Sequence, residues 1–529
     1  MDITALSNNI PNLKDVIKSL YSENKLQRQE LTNKDKELTN KKTTIEVQSE
    51  TIEILKFQLA KALQARFGRK SEKGDDKQLS LFDEADVGDM QEELEKEDEE
   101  ITVASYTKKK SGRKPLPKEL PREQRVYDLT DEDKVCECGN CLEKFGEDKY
   151  EQLEYIPAEI KVIENIKYKY VCKKCEGNIK VAKMPRQPIP KSIATPSLLA
   201  HTIISKFENH LPLYRQERIW QSFDIDLPRC TLSNWILKVG DLVTPLIEKM
   251  KEYIVNGNYT QADETSLQVL KEEGKLATSK SYMWVYRSGP PAKEVIVYEY
   301  QPNRKSTNPT NFLKDFSGHL QTDGYKGYNE IHSEKRIIPV FCMAHVRRGF
   351  MDIVKISKKN GKAKIAVNFI KKLYKIEKQI KDLSADEKQK IRQKKATPIL
   401  KRFKQWLEAL LPSCPPKGPL AKAASYALDY WHGLDVYLDN GYIDIDNNKI
   451  ENKIRPFALG RKNWMFAGNV KGAIAAGNIY SLNETAKANG LHTYNYWKYV
   501  LTKLPNVKND KELEKLLPHI CKQEDIVLE

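Results

Sequence analysis

Residues 259–265 read Tyr-Thr-Gln-Ala-Asp-Glu-Thr, and residues 320–325 read Leu-Gln-Thr-Asp-Gly-Tyr. Each stretch closes an apolar, strand-like run, so Asp263 and Asp323 are predicted to lie on or at the end of strands. A third acid, Glu451, opens a helical stretch rich in Arg and Lys. A single carboxylate is more often a solvated surface charge. Two Asp and one Glu collected in space, however, supply the hard oxygen ligands that hold a pair of Mg²⁺ ions.

The stretch from 258 to 350 predicts the order strand, strand, strand, helix, strand, helix, strand. That order resembles the ribonuclease-H-like fold, in which Asp323 would lie beside Asp263 on neighbouring central strands. The Lys-rich helical sequence before Glu451 indicates an α-helical domain inserted into that fold. The predicted strands lie near 259–270, 281–288, 293–300, 318–323 and 337–342, and the predicted helices lie near 308–316, 325–334, 352–410 and 417–438.

The N-terminal residues 12–65 are polar and predict one long helix. Apolar side chains recur in it at intervals of seven, which is typical of a coiled coil that buries this stripe against a partner helix. Polar residues interrupt the companion stripe, so an amphipathic helix that docks on its own protein is an alternative. The heptad stripe consists of Leu31, Leu38, Ile45, Ile52 and Leu59.

The charge of the chain is unevenly distributed. The net charge is +15, although residues 71–100 hold fourteen Asp and Glu against three Lys and Arg. Such a basic remainder favours a polyanion such as DNA as the partner. The basic stretch 108–118, with Arg113 and Lys114, is predicted to lie along a DNA minor groove or to be a plain linker. No run is long and apolar enough for a membrane span and no signal peptide is evident, which favours a cytoplasmic protein.

Five of the nine cysteines lie between 136 and 175. Two Cys-x₂-Cys pairs in this stretch predict one structural Zn²⁺ held by four thiolates, with no open position for water. Cys136 is an alternative to the first of these ligands. The predicted zinc ligands are Cys138, Cys141, Cys172 and Cys175.

Two helices are predicted at 211–220 and 231–238, with a break at 224–228 and Thr231 as the N-cap. This arrangement is typical of a helix-turn-helix, whose second helix reads a major groove. Two packed helices without a DNA contact are an equally good interpretation.

Motifs in one order along the chain resemble the transposases of the insertion sequence 66 (IS66) family. The most distinctive is Arg-Pro-Phe-Ala-Leu-Gly-Arg-Lys-Asn-Trp-Met-Phe-Ala-Gly at 455–468. The resemblance implies a DDE-type transposase with leucine-zipper, zinc-finger and catalytic domains, whose acidic triad falls on Asp263, Asp323 and Glu451. Other matching motifs are Arg-Phe-Gly-Arg-Lys-Ser-Glu-Lys (66–73), Gly-Arg-Lys-Pro-Leu-Pro (112–117), His-Leu-Pro-Leu-Tyr-Arg-Gln (210–216), Asp-Gly-Tyr-Lys-Gly-Tyr (323–328), Ala-His-Val-Arg-Arg-Gly-Phe (344–350) and Ser-Leu-Asn-Glu-Thr-Ala-Lys-Ala-Asn-Gly (481–490).

Two positions depart from the family pattern. The family usually shows Glu-Arg where this chain has Glu451-Asn452, so a phosphate contact by that Arg is lost or passes to a neighbouring cation. The family's first knuckle aligns its second Cys with Cys138, whereas here Cys136 is one residue too close and Cys141 appears instead.

The predicted activity is metal-dependent DNA cleavage and strand transfer at the ends of the element, with two Mg²⁺ (or Mn²⁺) per site. The expected partners are the terminal inverted repeats, target DNA, a second copy or more of this chain, and accessory proteins encoded by the element. Alternatives are a DNA-binding regulator without chemistry and a hydrolytic nuclease of the same fold. Glu484 is a rival for the third acid. The cations predicted along the DNA backbone are Arg347, Arg348, Arg455, Arg461 and Lys462.

The predicted organisation is multidomain and α+β. It comprises a coiled coil (1–70), an acidic linker (71–107), a basic arm (108–125), a zinc-binding module (126–185), a helix-turn-helix-like region (186–250), the first part of the catalytic domain (251–350), a helical insertion (351–440), the second part of the catalytic domain (441–500) and a C-terminal tail (501–529).

Overall fold

The computed structural model describes residues 10–67, 160–170, 180–182, 184–356 and 361–527. The chain forms two compact units, one of residues 1–90 with 185–529 and one of residues 91–184. In the second unit, β1 (Lys169–Tyr170) pairs antiparallel with β2 (Lys180–Val181). Several predictions fall outside the described residues. They are the acidic linker, the DNA-binding residues Arg113 and Lys114, the zinc ligands Cys138, Cys141, Cys172 and Cys175, and the alternative ligand Cys136.

The predicted N-terminal helix is confirmed as α1 (Ile10–Phe67). Every side chain of the heptad stripe is more than half exposed, from 51% at Ile52 to 64% at Ile45. Near the C-terminal end of the helix, Phe57 packs against the core of the helical insertion. The helix therefore touches its own protein at Phe57 and leaves the heptad stripe in solvent.

Four helices precede the sheet and share its core. They are α2 (Pro196–Phe207), α3 (Leu213–Gln221), α4 (Arg229–Leu242) and α5 (Thr244–Val255). The two helices of the predicted helix-turn-helix are confirmed as α3 and α4. The predicted N-cap Thr231 is wrong, because α4 begins at Arg229 and Pro228 occupies the cap position without a side-chain bond. Pro228 has φ −61° and ψ 145°, the extended backbone that an N-cap residue adopts. Leu232, Trp235 and Val239 form the buried face of α4.

The first unit contains a six-stranded mixed sheet. Its strands are β3 (Tyr259–Lys271), β4 (Lys280–Ser288), β5 (Ile296–Gln301), β6 (Gly318–Thr322), β7 (Ile337–Phe341) and β8 (Ala467–Asn469). The strand order is β5-β4-β3-β6-β7, and β8 pairs with the far end of β3. Strand β4 is antiparallel to both β3 and β5, whereas β6 and β8 run parallel to β3, and β7 runs parallel to β6. The five predicted strands are confirmed and β8 is an addition.

Aromatic side chains cover both faces of this sheet. On one face Tyr286 stacks on Phe312 and Trp284 meets Tyr328 edge to face. Phe312 belongs to α6 (Thr307–Phe312), and a 3₁₀ turn (Lys326–Tyr328) leads into α7 (Asn329–His332). The opposite face is covered by α14 (Asn448–Trp464) and α15 (Val470–Ala488), and α16 (Thr493–Lys503) and α17 (Asp510–Glu514) follow.

The helical insertion has a hydrophobic core of its own, which continues into α8 (Met343–Ile356). Its helices are α9 (Gly361–Gln379), α10 (Ala385–Ile391), α11 (Thr397–Leu410), α12 (Pro419–Asp429) and α13 (Trp431–Leu434), with a π-helical turn Arg392–Ala396 between α10 and α11. This confirms the helical prediction for the segment. Among the described residues, no helix has the length and apolar character needed to cross a membrane.

Candidate active site

Asp263 lies on the central strand β3, on the face that α14 covers. Side chains alternate along a strand, so Gln261, Asp263 and Thr265 share one face. Gln261 and Thr265, on either side of Asp263, both contact the segment around α14. Gln261 Nε2 donates to the Asp446 carbonyl at 3.4 Å, and Thr265 Oγ1 accepts a hydrogen bond from Arg461 Nη1 at 3.1 Å. Asp263 therefore faces the helix that carries Glu451.

Asp323 directly follows β6, the parallel neighbour of β3. Gln261 pairs with Gln321 in the register, so two further residues along each strand bring the chain to Asp263 and Asp323. The Asp323 carboxylate accepts a hydrogen bond from the Tyr325 amide at 2.8 Å. Asp263 and Asp323 therefore lie at matching positions of neighbouring chain segments, one within β3 and one directly after β6.

The turn after Asp323 is held by the helical insertion. Tyr426 Oη donates to the Asp323 carbonyl at 2.7 Å, and Tyr430 Oη donates to the Gly324 carbonyl at 2.7 Å. Gly324 has φ +84°, and a Cβ there would lie 2.9 Å from Tyr426 Oη. Only glycine fits this turn without strain. The insertion therefore fixes the backbone of an acid that it does not itself contain.

A buried polar network connects the two strands to the loop before α14. Tyr259 Oη and Gln261 Nε2 both donate to Gln321 Oε1, at 2.5 and 2.6 Å, and Gln321 Nε2 donates to the Asp444 carbonyl at 2.9 Å. The three side chains are at most 3% exposed. A satisfied network of this kind stiffens a polar site. The network connects β3 and β6 to the loop that leads into α14.

Glu451 lies in the first turn of α14 and its side chain is 15% exposed. One carboxylate oxygen is 3.8 Å from His345 Nδ1 and the other is 3.7 Å from Arg348 Nη2. Both partners lie on α8, so the third acid is positioned between α8 and α14. Asp446, five residues earlier, accepts a hydrogen bond from Tyr374 Oη at 2.7 Å, which ties the loop to α9.

The charges of the neighbouring acids act on the carboxyl of Asp263. Burial raises the pKa of the Asp263 carboxyl well above its usual value, and the negative charges of Glu264, Asp323 and Glu451 raise it further. Carboxylates that disfavour each other's charge in a partly buried site gain most from a cation placed among them. The donor set of hard oxygens fits a divalent ion such as Mg²⁺.

Glu264 is adjacent to Asp263 but faces the other side of the sheet. Its carboxylate bonds Arg304 and accepts a hydrogen bond from Tyr328 Oη at 2.7 Å. The Arg304 guanidinium lies 3.5 Å from the centre of the Tyr325 ring. Burial raises the pKa of the Glu264 carboxyl, and the positive charge of Arg304 counteracts part of that rise. Glu264 thus has its own cation.

The rival acid Glu484 lies on α15. Its side chain is 5% exposed, and its carboxylate is 3.3 Å from Lys487 Nζ. The partner that neutralises it is therefore a lysine of its own helix.

The predicted DNA-backbone cations differ in their surroundings. Arg461 is half-buried and donates to the Ser266 carbonyl and to Thr265 Oγ1, so its guanidinium anchors α14 to β3. Arg348 lies beside Glu451 and Arg347 is partly buried on the same helix, α8. Arg455 is partly buried on α14, whereas Lys462 is exposed near its end.

Comparison with family models places the chain. The model described as transposase IS66 family matches residues 191–475, which include Asp263, Asp323 and Glu451. The chain belongs to the IS66 transposase family. Three further models match: transposase C of IS166 homeodomain at 54–125, the zinc-finger binding domain of transposase IS66 at 133–176 and the IS66 C-terminal element at 481–519. The family resemblance of the sequence motifs is confirmed.

Relatives of similar length occur in Sinorhizobium fredii (strain NBRC 101917 / NGR234). The uncharacterized protein y4jD is 33% identical over 424 residues, covering 78% of this chain and 82% of the relative. The uncharacterized protein y4hP is 30% identical and covers 74% of this chain and 73% of the relative. Each match covers roughly three quarters of this member of the IS66 transposase family.

Several residues that shape the site had no functional prediction from the sequence. Gln261 and Gln321 each precede a predicted acid by two residues, so the repeated pattern Gln-x-Asp was a signal that these strands present Gln and Asp on one face. Tyr426 and Tyr430 gave no such signal, because their partners lie about a hundred residues away in the chain.

Proposed function

We propose that this chain is a DDE transposase that binds the ends of its insertion element and catalyses metal-dependent DNA cleavage and strand transfer. The observation that carries the proposal is the placement of Asp263, Asp323 and Glu451. Asp263 lies on β3, Asp323 follows the parallel neighbour of β3, and Glu451 lies on α14, which contacts β3 beside Asp263. Membership of the IS66 transposase family supports the same reading.

We infer that the catalytic domain is ribonuclease-H-like. Within the path β5-β4-β3-β6-β7, β3 is the first strand in chain order and β7 is the fifth. Strand β4 is antiparallel to both β3 and β5, and β6 and β7 run parallel to β3. The fold would place one acid on the first strand and one after the fourth. Asp263 and Asp323 occupy those two positions.

Asp263, Asp323 and Glu451 would hold two Mg²⁺ or Mn²⁺ ions. When bound, such a pair stabilises the charge on the attacking and leaving oxygens of an in-line displacement at phosphorus. The protein contributes rigidity: Gln261 and Gln321 fix the strands against the loop before α14, and the Tyr325 amide orients the Asp323 carboxylate. Preorganised ligands spare the reorganisation that a flexible site needs.

The cations near the site would bind the DNA backbone. Two of them, Arg347 and Arg348, lie on α8, and Arg455 and Lys462 lie on α14, the helix that carries Glu451. Each phosphate that they neutralise releases a counterion. Arg461 would contribute less to DNA, because its guanidinium already bonds β3. Arg113 and Lys114 of the basic arm would add minor-groove contacts. An enzyme acting on element DNA would work in the cytoplasm, at the nucleoid.

We propose that the zinc-finger region binds one structural Zn²⁺ through Cys138, Cys141, Cys172 and Cys175. The match of residues 133–176 to the zinc-finger model supports a zinc site in this region. Cys172→Ser is expected to lower the zinc content by one ion per chain. Full zinc content in that variant, measured by elemental analysis, would move the site elsewhere.

The exposed heptad stripe of α1 supports self-association through a coiled coil. Leu38→Lys introduces a charge into that stripe and is expected to dissociate the full-length oligomer. Val47→Lys is a matched control, because Val47 is also exposed but lies outside the stripe. Sedimentation at micromolar concentration measures the mass of the particle that each variant forms. Equal masses for the two variants would argue against the coiled coil.

The test of the catalytic proposal is a Mg²⁺-dependent nicking and strand-transfer assay on DNA that carries the element's inverted repeats. Asp263→Asn, Asp323→Asn and Glu451→Gln each remove one charged ligand at nearly constant shape. Because the ligands act as a unit, each is expected to lower both activities at least about a thousandfold while end binding persists.

Glu264→Gln is the matched control, since it makes the same chemical change one residue away on the opposite face of β3. It is expected to retain nicking, as is Glu484→Gln. Binding without nicking by the unmodified protein would favour the regulator, and nicking without strand transfer would favour the nuclease. An inactive Glu484→Gln with an active Glu451→Gln would reassign the third acid.

A further inference from the structure

A second group of potential ligands lies beside the proposed catalytic acids. The Cys342 thiol, the His345 ring and the Glu451 carboxylate each offer one atom, and these three atoms lie within 4.8 Å of one another. The His345 Nδ1 to Glu451 Oε1 distance is 3.8 Å. Zn²⁺ binds sulfur at about 2.3 Å and nitrogen or oxygen at about 2.0–2.2 Å, so its tetrahedral ligands are separated by comparable distances.

The backbone around Cys342 suits a thiolate. Cys342 immediately precedes α8, and its Sγ accepts hydrogen bonds from the Asn447 amide at 3.3 Å and from the His345 amide. Amide donors at a helix N-terminus stabilise a negative sulfur. Without a cation, burial raises the pKa of the Cys342 thiol well above its usual value, and the charges of Asp446 and Glu451 add to this rise.

The positions of Cys342 and His345 are fixed by local structure. They are three residues apart at the first turn of α8, so their side chains lie on the same side of the helix. Glu451 reaches them from the first turn of α14. Its Oε1 lies toward His345, whereas its Oε2 is 3.7 Å from Arg348 Nη2.

We propose that Cys342, His345 and Glu451 form a binding site for one Zn²⁺, and that Zn²⁺ bound there inhibits the enzyme by withdrawing Glu451 from the Mg²⁺ pair. A thiolate and an imidazole select Zn²⁺ over Mg²⁺, which prefers oxygen ligands alone. The thiol releases its proton to solvent when the metal binds. Three protein ligands leave the fourth position for water.

The binding half of this proposal depends only on the three side chains, whereas the inhibition half rests on the proposed catalytic role of Glu451. In chemical terms the two metals compete for one carboxylate. Excess Zn²⁺ would therefore inhibit the enzyme even though the zinc-finger region requires the same ion. Inhibition should be relieved by raising the Mg²⁺ concentration.

The first experiment measures zinc content. Full-length protein is dialysed against a zinc buffer and the zinc per chain is determined for the unmodified protein, Cys342→Ser and Cys414→Ser. Cys414 is the matched control, because it is also a buried free cysteine but lies in the helical insertion. We expect Cys342→Ser to bind one Zn²⁺ fewer per chain and Cys414→Ser to bind the same number as the unmodified protein.

The second experiment measures inhibition of Mg²⁺-dependent nicking by Zn²⁺, relative to the zinc-free rate of each protein. Cys342→Ser should raise the half-inhibitory Zn²⁺ concentration at least about tenfold, since even the loss of an outer partner of a metal ligand weakens binding that much. If Cys342→Ser does not fold, His345→Asn removes a different ligand and should produce the same zinc deficit.

Equal zinc content in the unmodified protein and in both ligand variants would overturn the site. A zinc deficit together with unchanged inhibition would overturn the competition for Glu451. If the unmodified protein does not nick DNA, the proposed catalytic function fails, whereas a persisting zinc deficit in Cys342→Ser still supports the binding site.

Discussion

Different contacts position the two aspartates and the glutamate of the proposed triad. Asp263 and Asp323 belong to two neighbouring strands of the sheet, whereas Glu451 belongs to α14. The two aspartates follow from the pairing of neighbouring strands, in register from Gln261 and Gln321. Glu451 depends on a loop that is held from two sides, by the sheet through Gln321 and by the helical insertion through Tyr374. Strand pairing within the sheet thus positions the two aspartates, whereas the position of Glu451 depends on contacts with both the sheet and the helical insertion.

This difference implies that damage to the helical insertion can impair the site without touching the sheet. Arg392, in the π-helical turn, connects the insertion to the segment that leads into α14. Its Nη1 donates to the carbonyls of Tyr437, Asn440 and Ile443 at 2.9–3.0 Å. Its Nε and Nη2 pair with Glu377. Arg392 is 3% exposed.

The largest effect is expected from Arg392→Met. Removal of one partner of a buried ion pair leaves the other charge unpaired, which costs about 3–5 kcal/mol of unfolding free energy. Arg402→Met is the control, because Arg402 is exposed in the same insertion. It should change stability by less than about 0.5 kcal/mol. Denaturant unfolding of the two variants measures the difference, and equal stability would show that the insertion does not hold the loop in this way.

A smaller effect is expected from Gln321→Met, which removes one of the hydrogen bonds between the sheet and the loop before α14. The change removes the side-chain donor to the Asp444 carbonyl and the acceptor of the Tyr259 hydroxyl, at a cost of about 2–3 kcal/mol. Displacement of α14 should also slow nicking between about tenfold and a hundredfold. Gln405→Met, at an exposed position of α11, should affect neither property. Wild-type nicking by Gln321→Met would indicate that Glu451 is positioned without the bond from Gln321.

The smallest effect is expected from Tyr374→Phe, and it depends on pH. Burial raises the pKa of Asp446 to about 6, whereas the hydrogen bond from Tyr374 lowers it. A carboxyl whose pKa is higher in the folded state destabilises the protein above that pKa, and this cost disappears as the pH falls through it. Loss of the hydroxyl removes a partner of the charged form.

Tyr374→Phe should therefore reduce the unfolding free energy by about 1.5 kcal/mol near pH 7.5 and by less near pH 4.5. Tyr442→Phe, at an exposed position, provides the reference at both pH values. Thermal unfolding of the two variants measures the effect. A deficit that is larger at the acidic pH would contradict the assignment to the charged Asp446.

The sequence predicts the features that depend on local rules better than those that depend on long-range contacts. The strands β3 to β7, Asp263 and Asp323 are predictable because alternation of side chains and parallel pairing are local rules. Helix α14 is predictable as well, although its place over β3 depends on contacts such as Arg461 with Ser266, far apart in the chain. That long-range contact also gives Arg461 a structural partner, in addition to the DNA contact predicted for it.

Other features lay beyond what periodicity indicates. The short strand β8 pairs with the far end of β3 and has only three residues, too few for a pattern. The approach of Cys342 and His345 to Glu451 requires the end of β7 to meet the loop before α14, where the Met343 amide donates to the Ile445 carbonyl at 3.1 Å. Pairings of this kind are set by tertiary packing.

The most direct test of the central claim is the location of bound metal. In crystals of the full-length protein soaked in Mn²⁺, anomalous scattering should place the ion or ions among the carboxylates of Asp263, Asp323 and Glu451, at about 2.1 Å from their oxygens. The peaks should vanish in Asp263→Asn and persist in Glu264→Gln. Mn²⁺ bound to Glu264 or Glu484 instead of Glu451, or peaks that persist in Asp263→Asn, would contradict the account.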